Sequence, residues 1–121
     1  MDELSAVKAA VQAYFDALYD GDADAFGRLF HPDCRLYTIA DGGVMSLDYD
    51  AYLKRVAGRP SPRSRGDERI DEILAVEVSA PTLAHARVRD CYLPGRYISE
   101  LTFLKVDGAW RIVAKVWHAF L

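Results

Sequence analysis

A chain of 121 residues fits one domain, and at that size folding buries roughly two-thirds of the surface an unfolded chain exposes, so a core forms without disulfides or metals. Hydrophobic residues make up 51% and charged residues 27%, which excludes the profile of a disordered chain. The net charge of −3, with basic residues dispersed, excludes the broad positive footprint that a phosphate backbone requires, and nucleic acid is not an expected partner.

In chain order, Val7, Val11, Tyr14 and Leu18 form one apolar stripe and predict an amphipathic helix from Leu4 to Leu18, closed by Gly21. Asp22 caps a second, short helix whose Phe26, Leu29 and Phe30 share a face, and Pro32 stops it after His31. Arg35 to Ala40 is rich in β-formers, and Asp41-Gly42-Gly43 returns the chain through Val44 to Leu47 as a hairpin. Tyr49, Tyr52, Leu53 and Val56 predict a third helix, capped by Ser46 or Asp48 and stopped by Gly58. The following stretch, with Arg59, Arg63, Arg65 and Arg69 among prolines and serines, reads as a solvated loop, or alternatively as a rim that attracts anionic ligands. Four alternating runs follow: Arg69 to Ser79, Leu83 to Leu93, Tyr97 to Val106 and Trp110 to Phe120. Tight turns join them into an antiparallel meander. Helices first and strands last is the order of an α+β domain in which helices cover one face of a curved sheet. Residues 1–121 read as a single domain.

Cys34 and Cys91 have no paired spacing, which suits a reducing compartment. Met-Asp-Glu-Leu-Ser opens an acidic amphipathic segment rather than a basic start followed by an apolar run, and no stretch approaches membrane-spanning length. The expectation is a cytoplasmic protein with no membrane partner.

Three segments carry a family resemblance. They are Tyr14 to Asp22 with Ala25-Phe26 and Leu29 to Asp33; the run from Tyr97 to Trp117; and the first hairpin with Ser46 to Leu53. Together they resemble the nuclear transport factor two-like superfamily, in its SnoaL-like and putative lumazine-binding branches. The resemblance implies a cystatin-like, cone-shaped sheet, curled around the first of three N-terminal helices and leaving a cavity open at one end. It also implies pairing through the outer sheet face into a homodimer. The superfamily hosts isomerases, dehydratases, cyclases and non-catalytic domains, so the fold alone names no reaction. The segment from Tyr14 to Thr38 is similar to the ketosteroid isomerases. Tyr14 falls where they keep an oxyanion-donating tyrosine, and Glu100 falls near their second oxyanion-hole acid. Thr38 stands where their general base should be, and a threonine cannot take the enolising proton.

Tyr14 lies on the inward stripe of the first helix, as a donor to a developing oxyanion or as a core tyrosine with a satisfied hydroxyl. Asp90 and Tyr92 share one strand face, and Glu100 and Thr102 share another, each beside apolar residues such as Val88 and Ile98. Either acid is a candidate general acid or base, or else a strand-holding partner of Lys115, Arg87 or Arg89. Strict alternation puts His118 on one face with Trp110, Ile112, Val116 and Phe120, opposite Trp117, as a proton shuttle or a structural residue. Leu18, Tyr37, Tyr52, Val56, Tyr92 and Trp117 are candidate walls for a small apolar or aromatic ligand. His31, Asp33 and Cys34 match no metal spacing, and no phosphate loop or nucleophile elbow occurs, so neither metal nor cofactor is expected. The function expected is a cofactor-independent lyase, isomerase or cyclase moving a proton on a small aromatic, steroid- or polyketide-like substrate. The alternatives are a pocket that binds without turnover and an interaction module that dimerises through its sheet.

Overall fold

The computed structural model describes residues 2–120. Helix α1 spans Glu3–Asp20, α2 Ala23–Leu29, α3 Tyr49–Ala57 and the single turn α4 Pro62–Arg65; the strands are β1 Phe30–Ala40, β2 Gly43–Asp48, β3 Glu72–Ala80, β4 Leu83–Tyr92, β5 Gly95–Val106 and β6 Ala109–Phe120. Three full helices thus pack on one face of a curved, unclosed sheet, as an α+β domain of the cone-shaped kind. The Pro/Arg/Ser loop adds α4, because Ser61 caps its own turn through the Ser64 amide at 3.0 Å, with Pro62 in the first turn.

The sheet order is β2-β1-β6-β5-β4-β3. Every pairing is antiparallel except β1 with β6, which run parallel. β1 starts five residues before Arg35, at Phe30. Between Phe30 and Arg35 its register against β6 breaks, so His31 to Cys34 arch away from their neighbour before pairing resumes.

Residues facing the helices come from alternate positions: Cys34, Leu36 and Thr38 on β1; Ala84, Ala86, Val88 and Asp90 on β4; Ser99, Leu101 and Phe103 on β5. Strand β6 departs from strict alternation. Thr102 pairs with Ala114 but Phe103 pairs with Ile112, and on the other side Phe30 pairs with Ile112 and Arg35 with Ala114. Val113 is therefore an extra residue, a β-bulge that reverses the phase of the strand. Trp110 and Ile112 face the helices before it, and Lys115 and Trp117 face them after it, while Val116 turns outward and is 47% exposed.

The core is aromatic where the helices meet. Tyr52 of α3 sits 5.4 Å from Phe26 and 5.3 Å from Phe30, and Tyr14 of α1 sits 5.9 Å from Phe26, in tilted or edge-on contacts. Tyr49 locks α3 to α2 by donating its hydroxyl to the Gly27 carbonyl at 2.6 Å.

The α1–α2 turn depends on Gly21, which has φ 62°, lets its own N–H return to the end of α1, and frees Asp22 to cap α2. A Cβ there would meet the Ser61 Cβ at 2.6 Å. Gly21→Ala is expected to destabilise the fold by about 1–2 kcal/mol from backbone strain alone, and by more once the Ser61 loop is displaced. Urea unfolding measures this, and an unchanged midpoint would contradict it.

Candidate functional site

The centre of the site is a buried hydrogen-bond cluster between α1 and the sheet. Tyr14 projects from the inward stripe of α1, and its hydroxyl donates to Asp90 Oδ2. Ser99, opposite on β5, donates to Asp90 Oδ1 at 2.9 Å and Oδ2 at 3.2 Å. Asp90 is 1% exposed, and Tyr14 and Ser99 are fully buried. A carboxyl so deep is tolerated because both of its oxygens are met by hydroxyl donors. Burial, with further contributions from Asp90 and Tyr52, pushes the Tyr14 phenol well above the ordinary tyrosine range. Tyr14 therefore remains a neutral donor at physiological pH.

Beside this cluster lies Lys115, 7% exposed, which the Val113 bulge has turned inward. Its Nζ donates to the Tyr52 hydroxyl at 3.3 Å and lies 5.2 Å from the ring centroids of Tyr14 and Tyr52 and 5.1 Å from that of Trp117. Three ring faces thus surround one ammonium group. No carboxylate forms an ion pair with it among the described residues, so the Lys115 pairing foreseen for Asp90 or Glu100 is replaced by an aromatic box. Tyr14 belongs to both units, with its hydroxyl on Asp90 and its ring against Lys115.

The structure separates the other candidates. Glu100 does not face the interior: it lies on the outer sheet face, 2.7 Å from His85 Nε2 and 2.7 Å from Arg87 Nε. Partial burial acts to raise its carboxyl, but the hydrogen bonds from Arg87 and His85 outweigh this and hold it below the usual range. His118 is likewise outward, its ring 4.7 Å from Phe120. The face shared by Trp110, Ile112 and His118 does not exist, because the bulge divides it. Tyr37 is outward too, opposite Ser46 and beside Val116.

Thr38 does face inward, and donates its hydroxyl to the Trp117 carbonyl at 2.6 Å, fastening β1 to β6 beyond the last paired residues. Tyr52, Val56 and Leu18 are buried on the inner side, and Trp117 is half-buried there. Tyr92 stands at the rim, donating to the Pro60 carbonyl at 2.7 Å, with the Arg59 and Arg65 guanidinium groups 4.0 and 4.3 Å from its ring. Between the end of α1, the α4 loop and the β4–β5 turn runs a narrow cleft lined by Phe15, Leu18, Tyr19, Pro62, Cys91 and Leu93. The anionic-ligand rim is largely neutralised: Arg63 pairs with Asp20, Arg65 with Asp67, and Arg69 with Asp16 and Asp71.

Ser99 is a site residue that sequence reasoning missed, and Lys115 is one that it named only as an ion-pair partner for Asp90 or Glu100. Ser99 was not legible, because β5 carries apolar residues on both faces, and the inward turn of Lys115 was not, since strict alternation sends it to solvent. The buried Cys34 thiol is pushed up to about 11 by desolvation, which leaves it inert as a nucleophile at neutral pH. No cluster of three His, Cys, Asp or Glu side chains with metal-binding proximity occurs among the described residues, nor any helix long and apolar enough to cross a membrane.

Comparison with known proteins bears on this geometry. The family model described as "putative lumazine-binding" matches residues 2–118. The aldolase FrzH of Cladobotryum sp. is 30% identical over 124 residues, covering 98% of this chain and 92% of the relative. Among solved structures, an NTF2-like protein from Shewanella baltica superposes with a TM-score of 0.85 at 17% identity, over 98% of this chain and 94% of the other. A ketosteroid isomerase-like protein from Erwinia carotovora atroseptica superposes with a TM-score of 0.75 at 16% identity, over 99% and 98%. Those two likenesses establish the fold.

The raised Tyr14 phenol predicts a pH dependence. While both states keep the proton, up to about pH 10, its contribution to stability is fully present. Above that the unfolded chain releases the proton and the folded chain holds it, so stability falls by about 1.4 kcal/mol per pH unit until the folded value is reached. Tyr14→Phe removes this alkaline component and costs about 1–3 kcal/mol at neutral pH, because Asp90 loses a donor. Urea unfolding of both proteins at neutral and alkaline pH measures the two effects, and identical alkaline losses would contradict the assignment.

Proposed function

Because the chain belongs to the putative lumazine-binding family and carries the nuclear transport factor two-like fold along its length, we propose that it is a cofactor-free enzyme of aldol type, making or breaking a carbon–carbon bond beside a carbonyl group by general acid–base catalysis. The observation that carries this reading is the Asp90 carboxyl, held inside the cone by Tyr14 and Ser99. The aldolase name of a relative that matches almost the whole chain supports the same chemistry.

In this reading a small carbonyl compound enters at the cone mouth, where Tyr92 and the Arg59–Arg65 loop close over the cleft. Asp90, still held by Ser99, takes the proton from the carbon next to the carbonyl. Tyr14, kept neutral by burial, turns its hydroxyl from Asp90 to the enolate oxygen. The enolate carbon attacks a second carbonyl, and the new alkoxide recovers the proton from Asp90; the reverse sequence cleaves the bond. Tyr52, Trp117 and the aromatic core favour a flat, partly apolar substrate of aromatic or polyketide-like character. The position where ketosteroid isomerases keep their base is filled by Thr38, whose hydroxyl is engaged with the strand backbone, so the proton acceptor is assigned to β4 instead.

We also propose that the chain forms a homodimer through the outer sheet face. An open apolar depression of about 360 Å³ lies there among Tyr37, Ile39, Val44, Ile98 and Val116. Ile39 is 64% and Val44 73% exposed, more apolar surface than a monomer's sheet ordinarily leaves to water. It lies on the opposite side of the sheet from Asp90 and supports association rather than catalysis.

Asp90→Asn is expected to lower turnover of an aldol substrate by about 10²–10⁴-fold, the usual share of one general base, while the chain stays folded. Steady-state kinetics paired with thermal unfolding tests this; a variant that unfolds with unchanged activity per folded molecule would end the catalytic reading of Asp90. For the dimer, sedimentation should find two chains at micromolar concentration and one in Val116→Glu. A wild-type monomer would overturn it.

A further inference from the structure

Resting on the carbonyl chemistry proposed above, the geometry points to Lys115 as a nucleophile that joins the substrate carbonyl as an imine, so that the reaction runs through an enamine rather than a free enolate. Three observations carry this.

The first is that the fold inverts its strand to bury this side chain. Without the Val113 bulge, Val116 would face the core and Lys115 would face water, the ordinary arrangement for both residue types. With it, Val116 is exposed and Lys115 is inside. The same phase change brings Trp117 inward beside Lys115, and a bulge that re-aims side chains in this way is the kind found beside active sites.

The second is the poverty of Lys115's structural bonding. A lysine buried to hold strands together ends on a carboxylate, and this one has none among the described residues. Its single acceptor, the Tyr52 hydroxyl, is at a long 3.3 Å. The amine is left with hydrogens that face rings, and without a salt bridge that must be broken before it reacts.

The third is charge conservation. The ammonium group first gives one proton to water, the free amine attacks the carbonyl carbon, and the carbinolamine oxygen takes a proton back and leaves as water. The N–C bond forms, the C–O bond breaks, and the sum is an ammonium group and a carbonyl compound giving a protonated imine and one water. One positive charge enters the step and one leaves it. The box of Tyr14, Tyr52 and Trp117 that holds the ammonium at 5.1–5.2 Å therefore serves the iminium equally well. Asp90 then removes the proton from the carbon next to the iminium, and the pair of electrons moves into a neutral enamine. After the new carbon–carbon bond has formed, the iminium returns and water hydrolyses it, restoring Lys115. Tyr14, touching Asp90 with its hydroxyl and Lys115 with its ring, couples the two groups across one side chain.

Reductive trapping tests this directly. The folded protein is incubated with acetone or benzaldehyde and sodium cyanoborohydride, and peptide mapping locates the alkylated amines. The expected result is one adduct per chain on Lys115, formed in preference to those on Lys8, Lys54 and Lys105, and absent from Lys115→Arg and Lys115→Met. The first variant keeps the charge, and the second replaces a buried cation with an apolar chain of similar length, which folds tolerate. Modification confined to the other lysines, or aldol turnover retained in Lys115→Arg, overturns the proposal. Asp90→Asn separates it from the reading on which it rests. Trapping that persists in that variant while turnover is lost supports both. Turnover lost there with no adduct in the wild-type chain leaves acid–base catalysis standing and removes the imine.

Discussion

The hydrogen bond from Tyr14 to Asp90 joins the first helix to the fourth strand across 76 residues of sequence, and the inner architecture is arranged around it. Asp90 would be intolerable at that depth without donors, and Tyr14 would leave a stranded hydroxyl among Phe26, Phe30 and Tyr52. Each makes the other affordable. Ser99 completes the set from the neighbouring strand, so α1, β4 and β5 meet at one carboxyl. The geometry that fixes the docking of the helix is the same geometry that places an acid and a neutral donor side by side.

Much of this was legible in the sequence, for reasons that differ between elements. The helices were readable because their apolar stripes and caps agree: Asp22 and Asp48 both accept from the amide three residues on, as their positions suggested. Asp90 and Tyr92 were readable because β4 has one unambiguous face, with Ala84, Ala86 and Val88 on it. β5 gives no such guidance, since Leu101 and Phe103 on one side are matched by Ile98, Leu104 and Val106 on the other. Assigning Glu100 to the interior followed the wrong one of two plausible apolar faces. On β6 the failure was different in kind. Alternation was read correctly from each end, yet a single extra residue, Val113, sets the two ends out of phase, and nothing in the local composition marks it. His118 went to the wrong face and the inward turn of Lys115 was missed for that one reason.

The two sheet faces divide the labour. Outside, Glu100 is held by Arg87 and His85 at the half-exposed sheet surface, next to apolar side chains. Inside, charge is sparse and each charged group is enclosed, Asp90 by hydroxyls and Lys115 by rings. Thr38 marks the border: it occupies the inner face but spends its hydroxyl on strand-to-strand closure. The family scaffold is kept while the buried Asp90, Ser99 and Lys115 of this chain stand on β4, β5 and β6, and a shared scaffold with different side chains can carry different chemistries.

The placement of the two tryptophans has a practical side. Trp110 begins β6 in the apolar end of the core, and Trp117 closes it 5.1 Å from the Lys115 Nζ. An indole this close to the Lys115 Nζ shares its surroundings, so the emission of Trp117 is the natural label-free signal through which to follow events in the aromatic box.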